Sequence, residues 1–181
     1  MDVNKLVFLD ECGVNTGMTR LYGRAFGGER VVEYVPDCRY ETNTIFSSVR
    51  LSGDTTPIIF EGALNGNIFK TISEKVLAPS LNVGDIVVMD NLSAHKVTGI
   101  IETIEKAGAF VMFLPEYSPD LNPIELMWSK IKSVIRSLKP RSLDELETAV
   151  SIAFETVSTD DISAWFTHCG YYIPQPILSI A

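Results

Sequence analysis

The run Ile86-Val87-Val88-Met89-Asp90 sets four apolar residues directly against an acid. An unbroken apolar run of this length fits a strand buried on both faces of a parallel sheet. A second run, Leu6-Val7-Phe8-Leu9-Asp10, has the same form and also ends in an acid. If the two strands are parallel neighbours, Asp10 and Asp90 meet at the carboxyl edge of the sheet, where α/β folds place their sites.

Outward from residue 86, the pattern is helical on both sides. Ile68, Ile72, Val76 and Leu77 recur at helical spacing until Pro79. After Asp90, a helix carries Val97, Ile100, Ile101 and Ile104 on one face, with Gly108 near its end, and a strand over 110–114 is closed by Pro115. Nearer the start the reading is strand-like. Residues 19–25 and 30–35 are β-prone pieces split by Gly27-Gly28, a hairpin-type break, and 42–51 and 57–61 continue the pattern. Beyond Pro123, Ile124, Met127, Trp128, Ile131, Ile135 and Leu138 trace one helical stripe that ends at Pro140. Asn122 is a candidate N-cap for that helix. Ser142 with Glu145 gives a capping-box signal for the next helix, which carries Leu146, Val150, Ala153 and Val157. Trp165, Phe166, Tyr171 and Tyr172 are expected to pack a terminal helix. The order predicts an α/β chain: a mixed sheet, antiparallel first and parallel later, covered by helices.

With 46% hydrophobic residues over 181 positions and no repeat or linker, one domain spanning 1–181 is expected. No apolar stretch is long enough for a bilayer, and the start lacks a signal-peptide pattern, so no membrane partner and a cytoplasmic location are expected. Cys12, Cys38 and Cys169 are widely spaced and form no CxxC pair, which excludes a disulfide framework or a zinc site.

A third acid, Glu125, lies in the first turn of the helix that begins at Pro123, beside its apolar stripe. Three converging carboxylates repel one another unless cations lie between them. Hard oxygen donors suit Mg²⁺ or Mn²⁺, and two such ions ~3.5–4 Å apart form the usual clamp for in-line phosphodiester displacement. Glu11 points to the opposite face if its strand continues, and is not counted as a ligand.

Phe8-Leu9-Asp10-Glu11, Val88-Met89-Asp90-Asn91-Leu92-Ser93-Ala94-His95 and Ser118-Pro119-Asp120-Leu121-Asn122-Pro123-Ile124-Glu125 resemble the three catalytic blocks of DDE transposases. The nearest resemblance is to the mariner-like superfamily in its bacterial insertion-sequence form, where the 34 residues (91–124) between Asp90 and Glu125 are typical. Residues 22–30 also resemble the family's block after the first Asp. Cys12 stands where a small hydroxyl residue is common, and Phe26 where proline is common. The resemblance runs from about Leu6 to Trp128. It implies a ribonuclease-H-like fold with a five-stranded mixed sheet. It also implies metal-dependent nicking at transposon ends and strand transfer by the freed 3′-hydroxyl, with Asp10, Asp90 and Glu125 as catalytic and metal-holding residues. A homodimer on DNA and a TA target are implied as well.

Supporting roles fall to Asn91, His95 and Asn122. Asn91 or Ser93 could equally cap a helix, and His95 could simply be exposed. Lys130, Lys132, Arg136, Lys139 and Arg141 crowd one segment of a chain whose net charge is −8. Lys132 and Arg136 share the helical stripe of Glu125 and Ser129 and, with Lys130, are candidate contacts to DNA phosphates. The acidic balance is awkward for a DNA enzyme. The family's helix-turn-helix modules precede this domain and do not fit ahead of Leu6. Recognition of transposon ends is therefore expected from an N-terminal segment or a separate chain, absent here. Two competing readings are a catalytically silent remnant serving as an assembly module and a general ribonuclease-H-like nuclease acting on RNA–DNA hybrids.

Overall fold

Strand β1 (Leu6–Asn15) is the centre of the molecule, and its first four residues are fully buried because helices cover both of its faces. The structure, a computed structural model, describes residues 2–37, 40, 42–91 and 98–173. β1 pairs antiparallel with β2 (Thr42–Arg50), which pairs antiparallel with β3 (Ile58–Glu61). On its other side β1 runs parallel to β4 (Ile86–Met89), and β4 runs parallel to β5 (Phe110–Phe113). The order β3-β2-β1-β4-β5 is the expected mixed five-stranded sheet, antiparallel first and parallel later.

Side-chain alternation along β1 divides the core in two. Leu6, Phe8, Cys12 and Val14 face a cluster that includes Ile124, Met127, Trp128 and Ile131 of α4 (Pro123–Leu138). The same cluster takes in Leu146 and Val150 of α5 (Leu143–Glu155) and Ile162 and Phe166 of α6 (Thr159–His168). Leu9 faces the other way. It joins Phe69 and Ile72 of α1 (Gly66–Ile72), Val87 and Met89 of β4, and Ile100 and Ile104 of α3 (Ile100–Lys106). After α1 the helix widens to π-type over Ser73–Leu77 and closes with α2 (Ala78–Ser80). Each buried Ile or Met on the α4 stripe contributes about 2 kcal/mol of transfer free energy, so this helix is fixed against the sheet.

Three expectations need correction. Residues 19–25 and 30–35 form no hairpin; apart from a short 3-10 turn at Phe26–Gly28 the segment has no regular structure. Its Tyr22, Phe26, Val32 and Tyr34 are exposed, so β-prone side chains here find no face to bury and no strand forms. Second, β1 does not end at Asp10. It continues to Asn15 because β2 goes on pairing with it, Asp10 opposite Ser47 and Asn15 opposite Thr42. Third, the Ser142 hydroxyl accepts from the Glu145 N–H, but the Glu145 carboxylate turns to the N–H of Arg141, so that capping box is only half formed. The complete box is at Ser158 and Asp161. Trp165 and Phe166 lie on the terminal helix, whereas Tyr171 and Tyr172 follow it; Tyr171 packs on Phe8 and Phe166, and Tyr172 is exposed. Among the described residues no helix is long and apolar enough to cross a membrane.

Candidate active site

Parallel register brings the two aspartates level. Leu6 pairs with Ile86 and Phe8 with Val88, and Asp10 and Asp90 each follow two residues after that last pair. Asp10 shares the face of Phe8, and Asp90 the face of Val88, so both lie on the side covered by α4. There α4 begins, at Pro123, and places Glu125 in its first turn. The three carboxylates line a single cleft of about 410 Å³, walled by Asn91, Asn122 and the loop over 114–119. Glu11, on the opposite face, does not line it.

The three acids differ in environment. Asp10 is 8% exposed, Asp90 is half-buried and Glu125 is exposed. Burial pushes the Asp10 carboxyl up to about 7, against the pull of a 2.8 Å hydrogen bond from the Glu11 N–H, and the charges of Glu11, Glu125 and Asp90 add to the rise. Two residues on, burial likewise pushes the Cys12 thiol up to about 12, opposed by the nearby Lys132 ammonium. No three His, Cys, Asp or Glu side chains among the described residues are gathered closely enough to hold an ion as they stand. The donor set nonetheless fits a hard divalent cation: all oxygens, on separate elements, with one carboxyl buried where a cation would favour its charge.

The supporting residues separate clearly. The Asn91 side-chain amide donates to the Leu114 carbonyl at 3.1 Å, and the Leu114 N–H donates to Met89 at 2.9 Å, so the chain after β4 is tied to the end of β5. Asn122 occupies the N-cap position of α4, but its side chain makes no capping bond. Its Oδ1 is buried without a partner among the described residues, so the cap reading fails there. His95, like Ser93, lies outside the described residues.

The basic cluster also divides. Lys130 pairs with Asp161 of α6 at 2.5 Å, and Lys139 pairs with Glu33. Arg141 donates to the carbonyls of Thr16 and Met18 and to the Thr19 hydroxyl, clasping the chain after β1. Lys132 and Arg136 make no ion pair among the described residues. They line a groove beside the end of β1, together with Arg20 and residues 13–15 and 17–19. They follow Glu125 by about two and three helical turns, so this groove continues its stripe. Sequence reasoning passed over Tyr117, which lines the cleft fully exposed at positive φ. The flanking Pro115 and Pro119 were the signal of a fixed loop there.

With this geometry in view, the comparisons with known proteins carry specific weight. The family described as DDE superfamily endonuclease matches residues 5–147. Among solved structures, the Mos1 strand transfer complex matches with a TM-score of 0.70 at 14% identity, over 92% of this chain and 52% of that one. The mariner Mos1 paired end complex with Mg matches at 0.68 and 13%, over 92% and 54%. The catalytic domain of Mos1 mariner transposase matches at 0.63 and 12%, over 92% and 78%. No curated protein matches. The chain thus spans about half the length of the Mos1 chains in those complexes, and at such identities the likeness speaks for the fold, which is ribonuclease-H-like. The family match covers every element that builds the cleft, from β1 through α4, and on that ground the chain belongs to the DDE superfamily of endonucleases.

Proposed function

We propose that the chain is the catalytic domain of a cut-and-paste DNA transposase, of the mariner-like superfamily in its bacterial insertion-sequence form. Asp10, Asp90 and Glu125 would hold two Mg²⁺ or Mn²⁺ ions. The observation that carries this reading is the convergence of three carboxylates, from β1, the end of β4 and the first turn of α4, on one cleft. The 34 residues between Asp90 and Glu125 support the branch, and solved paired end complexes of Mos1 with Mn and with Mg support the class of metal.

The reaction divides into two displacements. Water attacks the scissile phosphorus at a transposon end, and the P–O3′ bond breaks to leave a free 3′-hydroxyl. That hydroxyl then attacks a phosphorus of the target strand, forming one P–O bond as another breaks. What a pair of bound ions supplies is Lewis acidity at the attacking and leaving oxygens. The chain's own part is positioning. Asp10 is fixed within β1, Asp90 is steadied by the Asn91–Leu114 tether, and Glu125 is delivered at a set angle by the Asn122-Pro123 entry. Lys132 and Arg136 would contact phosphates along the adjoining groove. End recognition would come from an N-terminal helix-turn-helix segment or another chain, with two catalytic domains acting together on DNA in a bacterial cytoplasm.

Calorimetry with Mn²⁺ tests the reading. Binding is expected for the unaltered chain and lost in both Asp10→Ala and Asp90→Ala. No binding at millimolar metal with DNA present would sink it, and cleavage of RNA–DNA hybrids without strand transfer would make the chain a general nuclease instead.

A further inference from the structure

Two residues beyond α6 the chain turns back on itself. Gly170 takes a φ of 84°, which glycine adopts without strain. The Gly170 and Tyr171 N–H groups then donate to the Thr167 and Phe166 carbonyls at 3.0 and 2.9 Å, closing the helix in a Schellman turn. This ending carries the Tyr171 ring against Phe166, with centroids 5.9 Å apart, and onto Phe8 of β1, 5.0 Å away. The polar tip of the ring reaches a different element: its hydroxyl donates to the Leu121 carbonyl at 2.7 Å, fifty residues back along the chain. Burial pushes the phenol up to about 12, so it keeps the proton it donates.

Both ends of that strut stand close in sequence to a cleft acid. Phe8 precedes Asp10 by two residues on the same face of β1, and Leu121 precedes Glu125 by four in the turn that feeds α4. α4 opens without a side-chain cap, and the buried Asn122 Oδ1 has no partner among the described residues. The turn's own bonds, from the Leu121 and Asn122 N–H groups to Ser118 and Pro119, fix its shape but not its distance from β1. Apolar burial holds the body of α4 to the sheet, yet that force is non-directional. A hydrogen bond is directional and fixes an atom. Resting on the reading of the cleft as a divalent-metal site, we infer that Tyr171 is a positioning residue that spans β1 and the entry of α4 and so sets Glu125 against Asp10. Mg²⁺ demands near-ideal geometry at ~2.0–2.1 Å from its oxygens, so small shifts between the two carboxylates are felt as lost affinity.

The test is Mn²⁺ calorimetry on the full chain, with a thermal melt of each variant and all binding measured well below the lowest melting temperature. Tyr171→Phe keeps the ring on Phe8 and Phe166 and loses only the hydroxyl. It should bind Mn²⁺ about 2- to 12-fold more weakly, the net contribution of one neutral hydrogen bond. Ile162→Val trims the buried face of the same helix and leaves the Tyr171 hydroxyl in place. It should melt lower than the unaltered chain and bind Mn²⁺ equally well. Unchanged affinity in Tyr171→Phe would overturn the positioning role while leaving the metal site standing. An equal loss in Ile162→Val would show that any loosening of α6 weakens the site, and would overturn the role as well. If the unaltered chain bound no Mn²⁺, the metal reading itself would fall and the inference with it.

Discussion

Asp10 is placed where burial and three neighbouring carboxylates oppose its charge, and that has a consequence for folding. Its carboxyl titrates at about 7 in the folded chain, against an ordinary value of 3.8. Between these values the unfolded chain has released a proton that the folded chain keeps. Stability contributed by this group is therefore full below pH 4 and declines as pH rises through 7. Asp10→Asn removes the penalty. At pH 8 without metal it should melt several degrees higher than the unaltered chain, and the difference should vanish at pH 4. Added Mn²⁺ should raise the melting temperature of the unaltered chain and leave Asp10→Asn unmoved; an equal response in both would show that Asp10 holds no metal. Asp10 and Asp90 were legible because each follows an apolar run that reads as a buried strand, and the register then sets them level. Tyr117 was not, because an exposed ring in a loop leaves no periodic trace. Nor was the burial of Asn122, since the dipeptide Asn122-Pro123 reads equally well as a simple helix entry.

At the scale of elements, α4 joins core and site in one helix. Its buried stripe, including Met127 and Ile131, anchors it to β1, while the stripe beside it runs from Glu125 to Lys132 and Arg136. Ile131→Ala should cost about 2–5 kcal/mol, read as a lower midpoint in denaturant, because its neighbours on β1 cannot collapse into the space. For DNA the prediction separates cations by helical position. Lys132→Ala and Arg136→Ala should each weaken binding across all sequences and reduce the salt slope by about 1. Lys130→Ala should leave the slope unchanged, since its partner is Asp161; a reduced slope there would show that Lys130 also reaches phosphate. The shared helical phase of Lys132 and Arg136 could be read from numbering alone, whereas Lys130, grouped with them there, is set apart by its pairing with Asp161. The segment over 19–35 could not be read that way. Strand propensity needs a face to bury, and neither sheet nor helix offers one to Tyr22, Val32 or Tyr34.

Across the whole molecule, the two ends of the sheet carry opposite electrostatic designs. At the cleft, acids crowd together. At the other end, Arg50 closing β2 meets Asp85 just before β4 at 2.7 Å, both buried, and also donates to the Ser80 carbonyl at 2.9 Å. Burial alone would push the Asp85 carboxyl up. The Arg50 guanidinium and the Asn82 N–H outweigh it and hold the carboxyl below its ordinary value. The sign is the reverse of Asp10: stability from Asp85 is present above pH 4 and is lost as pH falls below its ordinary 3.8. Removing one partner strands the other's charge in the interior, which costs about 3–5 kcal/mol. Asp85→Ala should therefore unfold at markedly lower temperature at pH 7, with the deficit shrinking at pH 3 as the unaltered chain loses the same interaction. Its Mn²⁺ affinity, measured well below its melting temperature, should match that of the unaltered chain, because the clasp sits at the start of β1 and just before β4, whereas the cleft lies beside the middle of β1 and past the end of β4. A parallel loss of metal binding would mean that the clasp sets the strand register on which Asp10 and Asp90 depend.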